Sequence, residues 1–200
     1  MNKVLEIFFP DQLETSWFAV VARSLLLLGL LICTISIAMA GKKAGYTGYI
    51  GEQFFHLVNT PFHEAGHVFF QFGGRFLHSL GGTLGQFLMP LICMVTLLLR
   101  TRDAFGASFC FWWFGENFAD IAPYINDARA GVLPLLGGNT GRTSPYGFHD
   151  WEFLLTETGL RQYDTAIAQA SHTFAVLLMC MALVWGGLIL FKQLMSVLVD

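Results

Sequence analysis

The 200-residue sequence predicts an all-α integral membrane protein with about five transmembrane or partly inserted helices and one polar loop excursion. Three observations carry that class. Hydrophobic residues make up 54% of the chain and charged residues only 12%, and 20 phenylalanines deepen the bias; soluble domains carry about 25% charge. Apolar stretches recur at close to the roughly 20 residues that a helix needs to cross the hydrocarbon core. Strand signals are scarce, a small hairpin around Gly41–Ile50 or Gly73–Thr83 being the only candidate.

Met1 to Glu14 carries charges of both signs and is followed by an apolar run, Trp17–Ala40, long enough to span; the first segment is therefore expected to stay as an anchor. Gln53–Phe72 is the second segment, and Gly82–Leu99, Ala104–Ile125 and His172–Phe191 complete the set. Residues 126–170 form the excursion. Gly137, Gly138, Gly141 and the Pro145-Tyr146-Gly147 run mark its turns, and "FHDWEFLLTETG" reads as a short helix that stops near Gly159. No repeat or linker divides residues 1–200, which are expected to form one multi-pass domain in the cell's cytoplasmic membrane, with the lipid bilayer as its partner. Cys33, Cys93, Cys110 and Cys180 are widely spaced in apolar stretches and read as small buried hydrophobes. A net charge of −3, with no basic cluster beyond Lys42-Lys43 and Arg100-Thr101-Arg102, excludes a nucleic-acid footprint.

The second segment contains "NTPFHEAGHVFFQF", in which His63, Glu64 and His67 have the spacing His-Glu-x-x-His. A chain of this composition would show that spacing about 0.006 times by chance. Residues four apart share a helix face, so the two imidazoles can grip one divalent metal, and the glutamate beside the first reaches a water on that metal. Asn59 or Thr60 can cap a helix that starts at Pro61; the alternative is a preceding helix kinked there. His56 shares the face of His63 but stands about 10.5 Å away along the axis, too far for the same ion. It is expected to pack or to line a polar path.

A catalytic zinc keeps three protein ligands and one open position, so a third ligand must come from elsewhere. "WWFGENFADIAPYINDARAG" offers Glu116, Asn117, Asp120 and Asp127 inside a hydrophobic helix, with Asp120, Tyr124 and Asp127 on one face. His149 and Asp150 in "FHDW" are further candidates, either as a cap for the helix that follows or as outer groups folding over the metal. The glycine-rich "SLGGTLGQFLMP" has Gln86 as its one strongly polar side chain; it reads as a close-packing stretch or as a wall that hydrogen-bonds substrate.

In these two blocks the chain resembles the site-2 protease family, the intramembrane zinc metalloproteases. That family joins His-Glu-x-x-His to a later helix reading Asn-x-x-Pro-x-Pro-x-Leu-Asp-Gly. In "DIAPYINDA", Asp120 stands at the asparagine, Pro123 at the first proline and Asp127 near the aspartate, one residue short; Ile125 replaces the second proline and Ala128 the glycine. The resemblance implies a zinc ion held by His63, His67 and Asp127, Glu64 as general base, and hydrolysis of a peptide bond in a transmembrane or membrane-associated protein substrate. Asp120 and Glu116 are the alternative third ligands, because other zinc peptidases use a Glu-x-x-x-Asp pair and Glu116 to Asp120 has that spacing. Asn117, Asp120, His149, Asp150 and Gln86 are expected around the metal or the substrate. Two other classes fit the same residues: a membrane zinc hydrolase acting on something other than peptide, and a non-catalytic metal-binding membrane scaffold or adaptor.

Overall fold

A computed structural model describes residues 3–10, 15–43, 54–144 and 149–199. Their regular elements are helices: α1 (Lys3–Phe8), α2 (Trp17–Lys43), α3 (Phe54–Phe70), α4 (Gly74–Thr96), α5 (Ala104–Asn126), α6 (Asp150–Glu157) and α7 (Asp164–Val199). Among the described residues the only β pairing is one isolated bridge between Pro134 and Thr140. The candidate hairpin at Gly73–Thr83 is helical instead, and residues 44–50 of the other candidate lie outside the described residues.

Among the described residues, three helical stretches are long and apolar enough to cross a membrane: Trp17–Ala40, Phe54–Thr101 and Arg161–Val199. They expose large apolar side chains, Phe18 at 83% and Phe72 at 91% among them. Water would penalise such a surface; hydrocarbon does not. Phe54–Thr101 doubles back on itself. Gly74 takes φ 81°, a left-handed conformation that glycine adopts without a steric cost, and the chain reverses there into α4. The two limbs then pack through glycines. A Cβ on Gly81 would stand 2.7 Å from the Gly66 carbonyl oxygen, and one on Gly85 would run into the Phe62 carbonyl, so only glycine lets these backbones approach. Pro61 sits inside α3 without ending it, and Thr60 Oγ1 donates to the His56 carbonyl at 2.7 Å in the turn before it.

α5 is the centre of the bundle, packed on α7 and on α4, with α2 against α7 on the far side. Trp112 is wholly buried and donates from Nε1 to Thr34 Oγ1 of α2 at 2.8 Å, while Ser171 of α7 donates to the Phe118 carbonyl at 2.8 Å. Asp103 caps the start of α5 by accepting from Gly106 N at 3.0 Å. Of the cysteines, Cys110 is buried as expected, but Cys180 lies on the exposed face of α7.

The polar excursion returns over the bundle. Arg129 grips buried Asp164 at the start of α7, with Nε 2.8 and 2.9 Å from its two oxygens, and Arg161 donates to Glu152 at 2.9 Å. These ties fix where α6 lands. The short helix forms where the sequence predicts it, and Gly159, with φ 70°, follows its end.

Candidate metal centre

α3 sets His63 and His67 one turn apart on a single face, their ring centroids 4.7 Å from each other. Each Nδ1 is committed away from the space between them. His63 Nδ1 donates to Gln86 Oε1 at 2.7 Å, and His67 Nδ1 donates to the His78 carbonyl at 2.7 Å. His78 answers by donating from its own Nδ1 to the His67 carbonyl at 3.0 Å. A ring whose Nδ1 carries the proton toward such an acceptor presents Nε2 as the metal-binding atom.

Facing the two Nε2 atoms is Gly82 of α4. A Cβ there would stand 2.6 Å from His67 Nε2 and closer still to His63 Nε2, so the missing side chain is what leaves room at this point. The third wall is the first residue of α6. Asp150 Oδ2 lies 3.2 Å from His63 Nε2 and 3.1 Å from His67 Nε2, and Asp150 Oδ1 accepts from buried Ser79 Oγ at 2.7 Å. Burial pushes the Asp150 carboxyl up, but with no ion between them the N–H groups at His63 and His67 Nε2, the charge that a second proton gives His67, and the Ser79 hydroxyl outweigh it and hold the group well below the usual carboxylate range. It is therefore an anion aimed at two imidazole nitrogens.

Two Nε2 atoms and one carboxylate oxygen, all within 4.8 Å of one another, fit a divalent ion. Ligand atoms around a tetrahedral zinc at about 2.0–2.2 Å stand roughly 3.4 Å apart, close to the 3.1 and 3.2 Å separations here. Three protein ligands of this kind leave a fourth position open.

Asp127, the expected third ligand, is elsewhere. It closes α5 and is buried, with its oxygens accepting from Val132 N at 3.0 Å and Leu133 N at 2.9 Å and lying 3.6 Å from His149 Nε2. Its carboxylate is spent on turning the chain into the excursion. The alternatives stand one layer back. Asp120 accepts from His56 Nδ1 at 2.8 Å, Asn59 Nδ2 at 3.0 Å and Gln86 Nε2 at 3.2 Å, while Glu116 accepts from Asn59 Nδ2 at 3.0 Å. Asn117 accepts from Gln86 Nε2 at 2.9 Å. Gln86 is buried among these partners, its Nε2 turned to Asn117 and Asp120 and its Oε1 to His63. The pair at the head of α6 divides its roles. His149 caps the helix, Nδ1 accepting from Glu152 N at 3.3 Å, and Asp150 folds over the histidines.

His63, His67, Ser79, Asp120, His149 and Asp150 line a cleft of about 1050 Å³, with Glu64 exposed along its wall beside the histidines and Leu57, Val68, Ile121, Leu133 and Leu135 giving it an apolar character. Residues of the excursion form one side, which gives water a way in. The sequence reading passed over His78 and Ser79. A signal was there: Ser79, Thr83, Gln86 and Pro90 recur at helical spacing and are all buried on one face of α4.

If the cluster holds a zinc ion, Asp150→Ala is expected to weaken its binding by more than about 100-fold, since a lost direct ligand should exceed the roughly 10- to 100-fold cost of losing an outer contact. Asp127→Ala should leave that affinity within a few fold and instead cost roughly 1–3 kcal/mol of stability, by orphaning two loop amides. Chelator competition and thermal unfolding on the two variants separate these effects; equal loss of metal in both would count against the geometry. No family model, curated protein or solved structure matches the chain.

Proposed function

We propose that this protein is a membrane-embedded zinc-dependent peptidase, in which His63, His67 and Asp150 hold the ion and Glu64 acts as general base on a membrane-associated protein substrate. The observation that carries the reading is the convergence of two Nε2 atoms and Asp150 Oδ2 on one point of the cleft wall, with both Nδ1 atoms already committed to acceptors. α2, α3, α4, α5 and α7 are the expected crossing or partly inserted helices, in a multi-pass arrangement in the cytoplasmic membrane.

His63, His67 and Asp150 would hold the zinc, which when bound would make water acidic enough to lose a proton near neutral pH and would polarise a carbonyl oxygen. Glu64 removes the proton from the attacking water and returns it to the departing amine. His78 and Ser79 hold His67 and Asp150 in place, so the donor set need not reorganise as charge develops. The apolar cleft wall suits a hydrophobic stretch of substrate. A peptide bond inside a helix is shielded by its own hydrogen bonds, so that stretch must unwind before water can reach it. The acid and base groups alone would serve a lipid or other ester equally; the resemblance in the two sequence blocks favours peptide.

Peptide cleavage predicts new protein termini. Membranes containing the wild-type chain should accumulate membrane-protein fragments whose new N-termini are missing when the chain carries Glu64→Gln. Mass spectrometry of N-termini in the two membranes makes the comparison. An identical set of termini, together with zinc at full occupancy, would exclude the peptidase reading and leave the non-peptide hydrolase and the scaffold.

A further inference from the structure

We infer that Gln86 is a positioning residue that holds the proton of His63 on Nδ1, and that the direction of its hydrogen bond is imposed from inside α5, chiefly by Trp113. The inference rests on the metal reading above for its purpose but on hydrogen-bond geometry for its content.

A glutamine amide has two orientations of nearly equal shape, one presenting an acceptor and the other a donor. Which one Gln86 takes decides which nitrogen of His63 carries the proton. On its far side the amide faces Asn117 Oδ1 at 2.9 Å and Asp120 Oδ2 at 3.2 Å. Both partners have acceptors turned toward it. Asn117 spends its Nδ2 donating to the Trp113 carbonyl at 2.9 Å, which turns its oxygen toward Gln86. Asp120 already accepts from His56 and from Asn59 Nδ2. Asn59 is itself fixed by Trp113, whose indole Nε1 can only donate and does so to Asn59 Oδ1 at 2.8 Å. One buried residue therefore sets both asparagines, one through its indole and the other through its carbonyl. Gln86 must then point Nε2 at α5 and Oε1 at His63. The ring nitrogen 2.7 Å from Oε1 must be N–H, and Nε2 is left to coordinate. Turning the amide over would set its oxygen against a carboxylate oxygen and an amide oxygen at a buried position.

The test uses the full-length protein in nanodiscs with 15N-labelled histidine, reading the His63 ring nitrogens and zinc affinity together. In the wild type, His63 should carry its proton on Nδ1 both before and after zinc is added. Gln86→Met keeps length and removes the acceptor; it should lose that signature and bind zinc about 10- to 100-fold more weakly. Gln86→Glu, protonated on the oxygen that faces Asp120 and Asn117, still offers its other oxygen to Nδ1–H and should restore the signature and most of the affinity. A wild-type His63 with a bare Nδ1 overturns the inference, and so does a Met variant that matches wild type in both readouts or a folded Glu variant that behaves like Met. The wild-type spectrum requires no variant and decides the matter even where Met does not fold. A Gln86-dependent Nδ1–H in a protein that takes up no zinc supports the positioning and refutes the metal reading.

Discussion

Protein carrying His63→Ala and His67→Ala together is expected to hold no zinc where the wild type holds about one ion per chain, the largest change any pair of substitutions should produce. The two rings supply both nitrogen ligands from one helix face, and Asp150 alone on a short surface helix cannot retain the ion. Each single alanine should already drop occupancy below detection after dialysis. Both side chains are half-buried and their Nδ1 partners, Gln86 and the His78 carbonyl, would lose a donor each, so roughly 1–3 kcal/mol of destabilisation per lost partner is expected alongside. Elemental analysis of the purified protein, normalised to a circular dichroism spectrum that shows intact helices, measures the effect. Full occupancy in the folded double variant would sink the metal assignment.

Glu64→Gln should abolish turnover while leaving zinc and fold in place. The amide keeps the size of the side chain and loses only the basic oxygen, and general-base contributions are typically worth 10²- to 10⁴-fold in rate. Glu64 is exposed on the cleft wall and is not among the three residues that converge on the candidate ion site, so the substitution removes no ligand atom. Zinc content, melting temperature and cleavage of a substrate identified from its new termini should be read on the same preparation. Retained cleavage would move the base role to another group in the cleft, and His78 is the first to examine.

Much of the architecture was legible because a bilayer imposes simple rules. The apolar runs beginning at Trp17 and His172 read as helices, since a single segment in lipid satisfies its own backbone hydrogen bonds only as a helix and the sequence has no run of strand signals for a closed barrel. The excursion and its short helix were legible from glycines and from the "HDWE" cap. The histidine pair was legible because helix periodicity is local: four residues fix a shared face whatever the rest of the chain does. Asp150 was not legible as the nearest carboxylate because no periodicity connects residue 67 to residue 150, and its own surroundings look like an ordinary helix start. Asp127 drew attention through its proline-containing context, yet a carboxylate at a helix end followed by two free amides has a strong local use, and that use prevailed. The layer behind the site, from Asn59 through Asp120 to Gln86, involves three helices and could only be read once they were packed.

The histidines and Asp150 are separated by a long stretch of chain, 87 residues in the case of His63. During synthesis α3 therefore enters the membrane well before its carboxylate partner has been made, and α4, α5 and the excursion must follow and dock before Asp150 arrives. A newborn chain holding only the His-Glu-x-x-His helix has two donors and no complete cage. The three-residue cluster is therefore complete only after the roof of the cleft is in place.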